Sequence, residues 1–156
     1  MPSKHCLCLT VASLFLVAVT TSRAPAATPG DACSYLTPAQ VSAALGATVG
    51  AGVYVTPTFT KTCTWSITSG GGFVTLFLSD LEHFEAGRHP LASGIIITPV
   101  SGLGDAAYYN AVGDNVGLVV KKGNVSFKVA AYIHDAPLSR KQAVERTLAP
   151  QVLAGF

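Results

Sequence analysis

Charged residues are scarce in this sequence, and basic residues show no surplus once the N-terminus is set aside. Lys and Arg number ten and Asp and Glu eight among 156 residues, so charged side chains make up 12%. Residues 1–26 resemble a secretory signal, and removing them takes away Lys4 and Arg23, which leaves eight basic against eight acidic residues. Nucleic-acid binding requires basic side chains that neutralise phosphates, and anionic membrane surfaces attract clusters of such residues. The composition therefore argues against both as partners.

The sequence also lacks an apolar run long enough to span a membrane. Its main apolar run covers residues 7–19, whereas a spanning helix needs about 20 residues. The run follows Lys4 and precedes the small-residue pattern Ala24-Pro25-Ala26, an order typical of a signal peptide and its cleavage site. We predict a signal peptide over residues 1–26 with cleavage before Ala27. The product is a secreted or periplasmic protein with no membrane span, and a retained membrane anchor is the alternative.

Cysteine is scarce too, because the chain has four and two of them, Cys6 and Cys8, belong to the predicted signal. Cys33 and Cys63 remain, and two cysteines in an oxidising compartment usually pair. A reactive thiol pair is the alternative, but such pairs usually have the spacing Cys-x-x-Cys. Lipid attachment at Cys33 is disfavoured by the acidic residue in the preceding Gly30-Asp31-Ala32. We therefore predict a structural disulfide between Cys33 and Cys63.

After the predicted cleavage site, the chain has the length of a single domain, with a flexible lead-in over residues 27–32 and a folded unit over residues 33–156. A unit of this size buries about two-thirds of its unfolded surface, and we expect a monomer. Thr37 and Gln40 have the spacing of a helix capping box. Gly46 is suited to end that helix.

Alternation of residue type predicts most of the strands. It is clearest over residues 59–68, where Cys63 and Trp65 fall on the same face as other large side chains. Further strands are predicted over residues 49–56, 73–79, 95–98, 106–110, 116–121 and 125–133. Short helices are predicted from Asp80 to Ala86 and from Ser139, each with a polar cap. These elements predict an α+β fold, in which helices pack on one face of an antiparallel sheet with one disulfide.

Four side chains able to bind metal lie close together in the sequence: Glu82, His83, Glu85 and His89. Zinc requires three or four converging ligands, and adjacent helical residues such as Glu82 and His83 point about 100° apart. A solvated helix face followed by a loop accounts for the same residues. We therefore predict no metal site.

The spacing Gly102-x-Gly104-x-x-Ala107 matches part of a dinucleotide-binding fingerprint. That fingerprint lies between a strand and a helix, whereas here a strand is predicted to follow. Asp105 would also place a negative charge against the phosphates. We predict a structural bend at this position and no cofactor.

His134 and Asp135 form the best pair of general base and orienting acid in the sequence. Nucleophilic catalysis also requires a suitably placed Ser or Cys, and the Gly-x-Ser-x-Gly elbow is absent. Residues adjacent in sequence seldom have the geometry of a catalytic triad. We therefore assign no catalytic residues.

Tyrosines are the candidate ligand-binding residues. Tyr108 and Tyr109 are neighbours on a predicted strand and must point to opposite faces, so one of them is expected in the core. The other, together with Tyr54 and Tyr132, is a candidate to line a surface groove, because tyrosine combines apolar area with a polar tip. Single exposed aromatic residues on a sheet are the alternative interpretation.

Several short motifs carry a resemblance to a known family. They are residues 32–41 (Ala-Cys-Ser-Tyr-Leu-Thr-Pro-Ala-Gln-Val), Ala44-Leu45-Gly46, Cys63-Thr64-Trp65 and residues 102–109 (Gly-Leu-Gly-Asp-Ala-Ala-Tyr-Tyr). In this order, the chain resembles a family of bacterial secreted proteins and lipoproteins of unknown function. That family is itself similar to the extracellular sensor domain of a bacterial serine/threonine kinase.

The resemblance implies an antiparallel sheet with helices packed on it, a cysteine bridge and a cleft for ligands, but no catalytic residues. This chain departs from it by lacking the lipid-attachment cysteine and the second disulfide of the kinase domain. We expect a non-catalytic exported domain that binds a small ligand or a cell-envelope component. A protein–protein interaction module, such as an inhibitor or assembly factor, is the first alternative, and a hydrolase is the second.

Overall fold

The computed structural model describes residues 30–156, so the predicted signal peptide lies outside the described residues. Its centre is a seven-stranded sheet in which all neighbouring strands are antiparallel and the spatial order is β1-β2-β3-β7-β6-β5-β4. The strands are β1 (Val53–Thr56), β2 (Phe59–Ser66), β3 (Gly72–Asp80), β4 (Ile95–Val100), β5 (Ala106–Val112), β6 (Asn115–Lys122) and β7 (Val125–Ile133).

Three α-helices accompany the sheet: α1 (Pro38–Leu45), α2 (Leu81–Arg88) and α3 (Leu138–Leu153). The predicted capping box of α1 is confirmed. The Thr37 hydroxyl accepts the N–H of Gln40, and the Gln40 side chain accepts the N–H of Thr37. Gly46 ends α1 in the left-handed conformation, with φ of 68°, which glycine adopts without steric cost.

The predicted disulfide between Cys33 and Cys63 is confirmed, and their Cα atoms lie 5.0 Å apart. It joins a short 3₁₀ turn before α1 to β2, where the neighbouring inward residue Trp65 is fully buried. A Cβ at Gly52 would lie 2.7 Å from both the Cys63 sulfur and the Trp65 ring. The chain entering β1 packs this closely because glycine has no side chain.

The helices cover the two faces of the sheet unequally. The main core lies under α1 and α3 and includes Trp65, Leu118 and Tyr109, whereas a second cluster of Phe84, Tyr108 and Val119 lies under α2. Successive strand residues point to opposite faces, so α2 packs on the face opposite α1 and α3. The α+β fold with an antiparallel sheet and one disulfide is confirmed, and α2 adds a smaller contact to the other face.

Two helix ends differ from the sequence prediction. The predicted cap at Ser139 is wrong, because the carbonyl of Pro137 accepts the first helical N–H groups and α3 begins at Leu138. The helix predicted to end at Ala86, before Gly87, continues to Arg88. A Cβ at Gly87 would overlap the hydroxyl of Tyr108, so this glycine provides close packing rather than termination.

The N-terminal described residues already belong to the packed structure. Asp31 caps the 3₁₀ turn by accepting the N–H of Cys33, and Ala32 is fully buried. Both fall within the stretch that the sequence assigned to a lead-in. No helix among residues 30–156 is long and apolar enough to cross a membrane.

Candidate functional site

A cleft of about 380 Å³ opens at the end of the sheet where β3 begins and β7 ends. The first residue of β6 and the first turn of α3 complete its walls. The residues that line it are Gly72, Phe73, Asn115, Tyr132, Ile133, His134, Asp135 and Lys141.

Two aromatic rings form the apolar wall of this cleft. Phe73 on β3 lies directly opposite Tyr132 on β7, and their ring centroids are 4.6 Å apart with an angle of 26° between the planes. Phe73 remains 37% exposed. Stacked aromatic pairs with a free face offer a rigid apolar surface to a planar or cyclic ligand.

Backbone geometry brings these strands together and turns the chain out of β7. A Cβ at Gly72 would overlap the carbonyl oxygen of Tyr132, so β3 can close onto β7 at this point only with glycine. The His134 N–H donates to the Gly71 carbonyl at 2.8 Å. Asp135 then adopts a φ of 52°, a left-handed conformation that Asp tolerates better than most residues.

Lys141 supplies a buried cation at the cleft wall. It is only 7% exposed, and its ammonium group donates to the carbonyl of Asp114 at 2.8 Å. An ammonium group carries three N–H donors, and this bond uses one. Lys141 therefore fixes the loop before β6 and brings a positive charge to the edge of the cleft.

Glu145 lies one helical turn beyond Lys141 and is fully buried. Its Oε1 accepts the backbone N–H of Ala131 at 3.0 Å, while its Oε2 has no hydrogen-bond partner within the described part of the chain. Pairing of β6 with β7 ends at Leu118 and Val129, so the carboxyl group takes the place of a further β6 carbonyl. Burial raises the pKa of Glu145 to about 8, which the Ala131 N–H offsets only in part.

The four candidate tyrosines do not share one surface. Tyr132 lines the cleft, whereas Tyr54 lies on the edge strand β1, where its hydroxyl donates to Asp31 at 2.9 Å. Tyr108 and Tyr109 are both buried, on opposite faces of the sheet. Their hydroxyls donate to backbone carbonyls of α2 and α3, and burial raises the pKa of both.

His134 and Asp135 both line the cleft, but no hydrogen bond joins their side chains within residues 30–156. The lining residues include no Ser, Thr or Cys that such a base would activate. The arrangement offers a ring surface, an imidazole, an amide from Asn115 and a buried ammonium group. These groups are suited to holding a ligand by stacking and hydrogen bonding.

The possible metal ligands on α2 point to different partners. The ring of His83 lies edge-on to Phe77, with centroids 5.3 Å apart. Glu85 lies 3.4 Å from Arg88 and 3.6 Å from Lys121. Among the described residues, no group of three or more His, Cys, Asp or Glu side chains is arranged to hold a metal ion.

The segment around Gly102 and Gly104 forms the predicted bend and leads into β5, so that prediction is confirmed. Asp105 stabilises the bend by accepting the N–H of Gly123 at 2.7 Å. This hydrogen bond, together with the charge of Lys122, lowers the pKa of Asp105.

Residue patterns identify Tyr132, His134 and Asp135 as candidates but not the other side chains that build the cleft. Phe73 lies on a predicted strand, but alternation does not specify which residue of a distant strand faces it. Lys141 was assigned to a helix start. No family model, curated protein or solved structure matches the chain, so the family resemblance stays a prediction.

Proposed function

We propose that this protein is a non-catalytic exported domain that binds a small ligand or a cell-envelope component in the sheet-end cleft. The observation that carries the proposal is the stacked pair of Phe73 and Tyr132 beside the buried ammonium group of Lys141. The cleft volume of about 380 Å³ falls within the range of about 300 to 1,000 Å³ found for small-molecule sites.

The lining groups favour a ligand that combines a ring with hydrogen-bond acceptors. The ring stacks on Phe73 and Tyr132, and acceptor atoms face the donors of Lys141, Asn115 and His134. The charges of Lys141 and Asp135 oppose each other, so the cleft has little net charge. This balance favours a neutral or weakly charged ligand over a polyanion.

Two observations support binding without catalysis. The cleft presents an imidazole at His134 but no hydroxyl or thiol nucleophile among its lining residues other than the phenol of Tyr132. The other buried polar group nearby, Glu145, is bonded to a backbone N–H and sealed from solvent. A group in that position holds the protein together instead of reaching a substrate.

Export is supported by the disulfide between Cys33 and Cys63, because disulfides persist in oxidising compartments outside the cytoplasm. The signal-like pattern of residues 1–26 points the same way. The family resemblance, which implies a ligand cleft in an exported protein, agrees with both.

Native mass spectrometry of the protein purified from its own periplasm or medium tests this proposal. We expect a bound small molecule that is retained by the wild type and lost from Tyr132→Ala. Phe59→Ala is the matched control, because Phe59 is also a partly exposed aromatic residue but lies outside the cleft. The absence of any bound molecule, or equal retention by both variants, would contradict the proposal.

A second candidate function, protein–protein interaction, is favoured by the edges of the sheet. Edge strand β1 exposes Val53 and Val55, and edge strand β4 exposes Ile96 at 65%. Open edges pair readily with an extended segment of another chain. The same spectra would then contain a stoichiometric protein partner that Val55→Lys releases and Tyr132→Ala does not.

A further inference from the structure

A second cavity, of about 340 Å³, lies between the end of α2 and the strands β4 and β5. Apolar and aromatic residues predominate in its lining, and polar atoms also reach its surface. The lining is formed mainly by Phe84, Ile97, Pro99, Val100, Ala106 and Tyr108. The cavity shares no lining residue with the sheet-end cleft.

The hydroxyl group on the cavity floor already has a hydrogen-bond partner. The Tyr108 hydroxyl donates to the carbonyl of Phe84 at 3.1 Å, and the two rings lie with centroids 5.1 Å apart. Gly87 makes this contact possible, since a Cβ there would overlap the same hydroxyl. These rings and the aliphatic side chains of the lining give the cavity an apolar surface, which suits an apolar ligand group.

Arg88 brings a positive charge to the cavity. Arg88 and His89 line it, and no acidic side chain does. Arg88 lies 3.4 Å from Glu85, but the same carboxylate also lies 3.6 Å from Lys121. The single carboxylate of Glu85 thus lies near two cations, Arg88 and Lys121, which leaves a surplus of positive charge beside the cavity.

We propose that this cavity binds a small amphiphile with one carboxylate, whose apolar part enters between α2 and β5 while the carboxylate meets Arg88. A guanidinium group binds carboxylates through paired N–H donors. Burial of the apolar part supplies affinity in proportion to the area removed from water. This site is independent of the sheet-end cleft and does not rest on the function proposed for it.

Titration of the purified protein with decanoate, followed by ¹H–¹⁵N NMR, tests the proposal, and decanol is the uncharged comparison. We expect saturable one-to-one shifts at α2, β4 and β5. Arg88→Gln should weaken decanoate binding about tenfold, since a charged hydrogen bond is lost, and leave decanol binding unchanged. Because Arg88 is half exposed, this variant keeps the fold.

Two further variants sharpen the result. Lys61→Gln removes an exposed cation that does not line the cavity and should bind decanoate like the wild type. Ala106→Leu fills the cavity and should weaken both ligands. The proposal is overturned if decanoate causes no saturable shifts at millimolar concentration, if Arg88→Gln binds it unchanged, or if the shifts centre on Phe73 and Tyr132.

Discussion

We predict that Glu145 makes the stability of this protein depend on pH and that Glu145→Gln removes that dependence. The carboxyl group is fully buried between α3 and the point where β6 and β7 stop pairing. The Ala131 N–H is the one hydrogen-bond donor to it among the described residues. A carboxylate loses its hydration there, so the folded protein favours the neutral acid. Lys128 and Lys141 lower the pKa, but burial remains the larger effect.

Proton binding determines whether the free energy of unfolding rises or falls with pH. The pKa of Glu145 is about 8 in the folded protein against an ordinary value of 4.5. When the pH is below the ordinary pKa, both the folded and the unfolded chain carry the proton on Glu145. When the pH lies between the two pKa values, only the folded chain keeps this proton. The free energy of unfolding therefore falls as pH rises. The loss reaches about 3 kcal/mol at pH 7 and about 5 kcal/mol above pH 8.

Glutamine offers an amide oxygen that can accept the Ala131 N–H in place of the carboxyl oxygen, but it cannot ionise. At pH 5 the variant and the wild type should agree within about 1 kcal/mol. At pH 7 the variant should be more stable by about 3 kcal/mol, and its stability should change little from pH 5 to pH 8.

Urea unfolding followed by tryptophan fluorescence measures this, because Trp65 is the only tryptophan of the chain and is fully buried. Glu82→Gln is the control, since Glu82 is an exposed glutamate on α2 and its loss should leave the pH dependence of the wild type intact. The reasoning is refuted if the wild type is equally stable from pH 5 to pH 8, or if Glu145→Gln follows the wild type in parallel.

Three other changes have expected effects on thermal or urea unfolding. Replacing Cys33 and Cys63 by Ala should lower the free energy of unfolding by about 3 to 4 kcal/mol under oxidising conditions, and a loss under 1 kcal/mol would contradict this. Gly87→Ala should destabilise by about 1 to 3 kcal/mol, because its Cβ meets the Tyr108 hydroxyl; Tyr108→Phe in the same chain should recover part of the loss. Thr37→Ala should lower stability by about 1 kcal/mol, whereas Thr37→Ser should retain most of it.

Local patterns predicted the parts of the fold that depend on near neighbours. The capping box of Thr37 and Gln40 involves residues three apart, and the inward placement of Cys63 and Trp65 follows from alternation along one strand. The disulfide was predictable because only two cysteines follow the predicted signal peptide. The number of cysteines and the expected oxidising compartment were enough to predict the pairing, without any knowledge of the geometry.

The cleft depends on contacts between distant segments, so sequence patterns predicted it only in part. Phe73 faces Tyr132 because of the register between β3 and β7, and no local pattern specifies that register. The start of α3 was mispredicted because Ser139 has the right residue type for a cap, while Pro137 already has an extended conformation and a carbonyl in position.

Glu145 is the residue least expected from its surroundings in the sequence. It lies three residues before Leu148 and four before Ala149, which are both fully buried, so the helical pattern places it on the inward face of α3, where an ionisable side chain is unexpected. There it meets the Ala131 N–H, which the early end of β6–β7 pairing leaves without a strand partner and which requires an acceptor. That requirement becomes visible only when three elements are assembled.

The polar contacts of α3 connect the core to the cleft. Lys141 bonds the Asp114 carbonyl, next to Asn115, and Glu145 bonds the Ala131 N–H, next to Tyr132. Both cleft-lining residues are thus adjacent to backbone groups that one helix holds in place. Apolar residues of similar size would avoid the unfavourable burial of two ionisable groups, but they would leave both backbone groups without these partners. The helix therefore sets the positions of two cleft walls through hydrogen bonds, at the expense of stability near neutral pH.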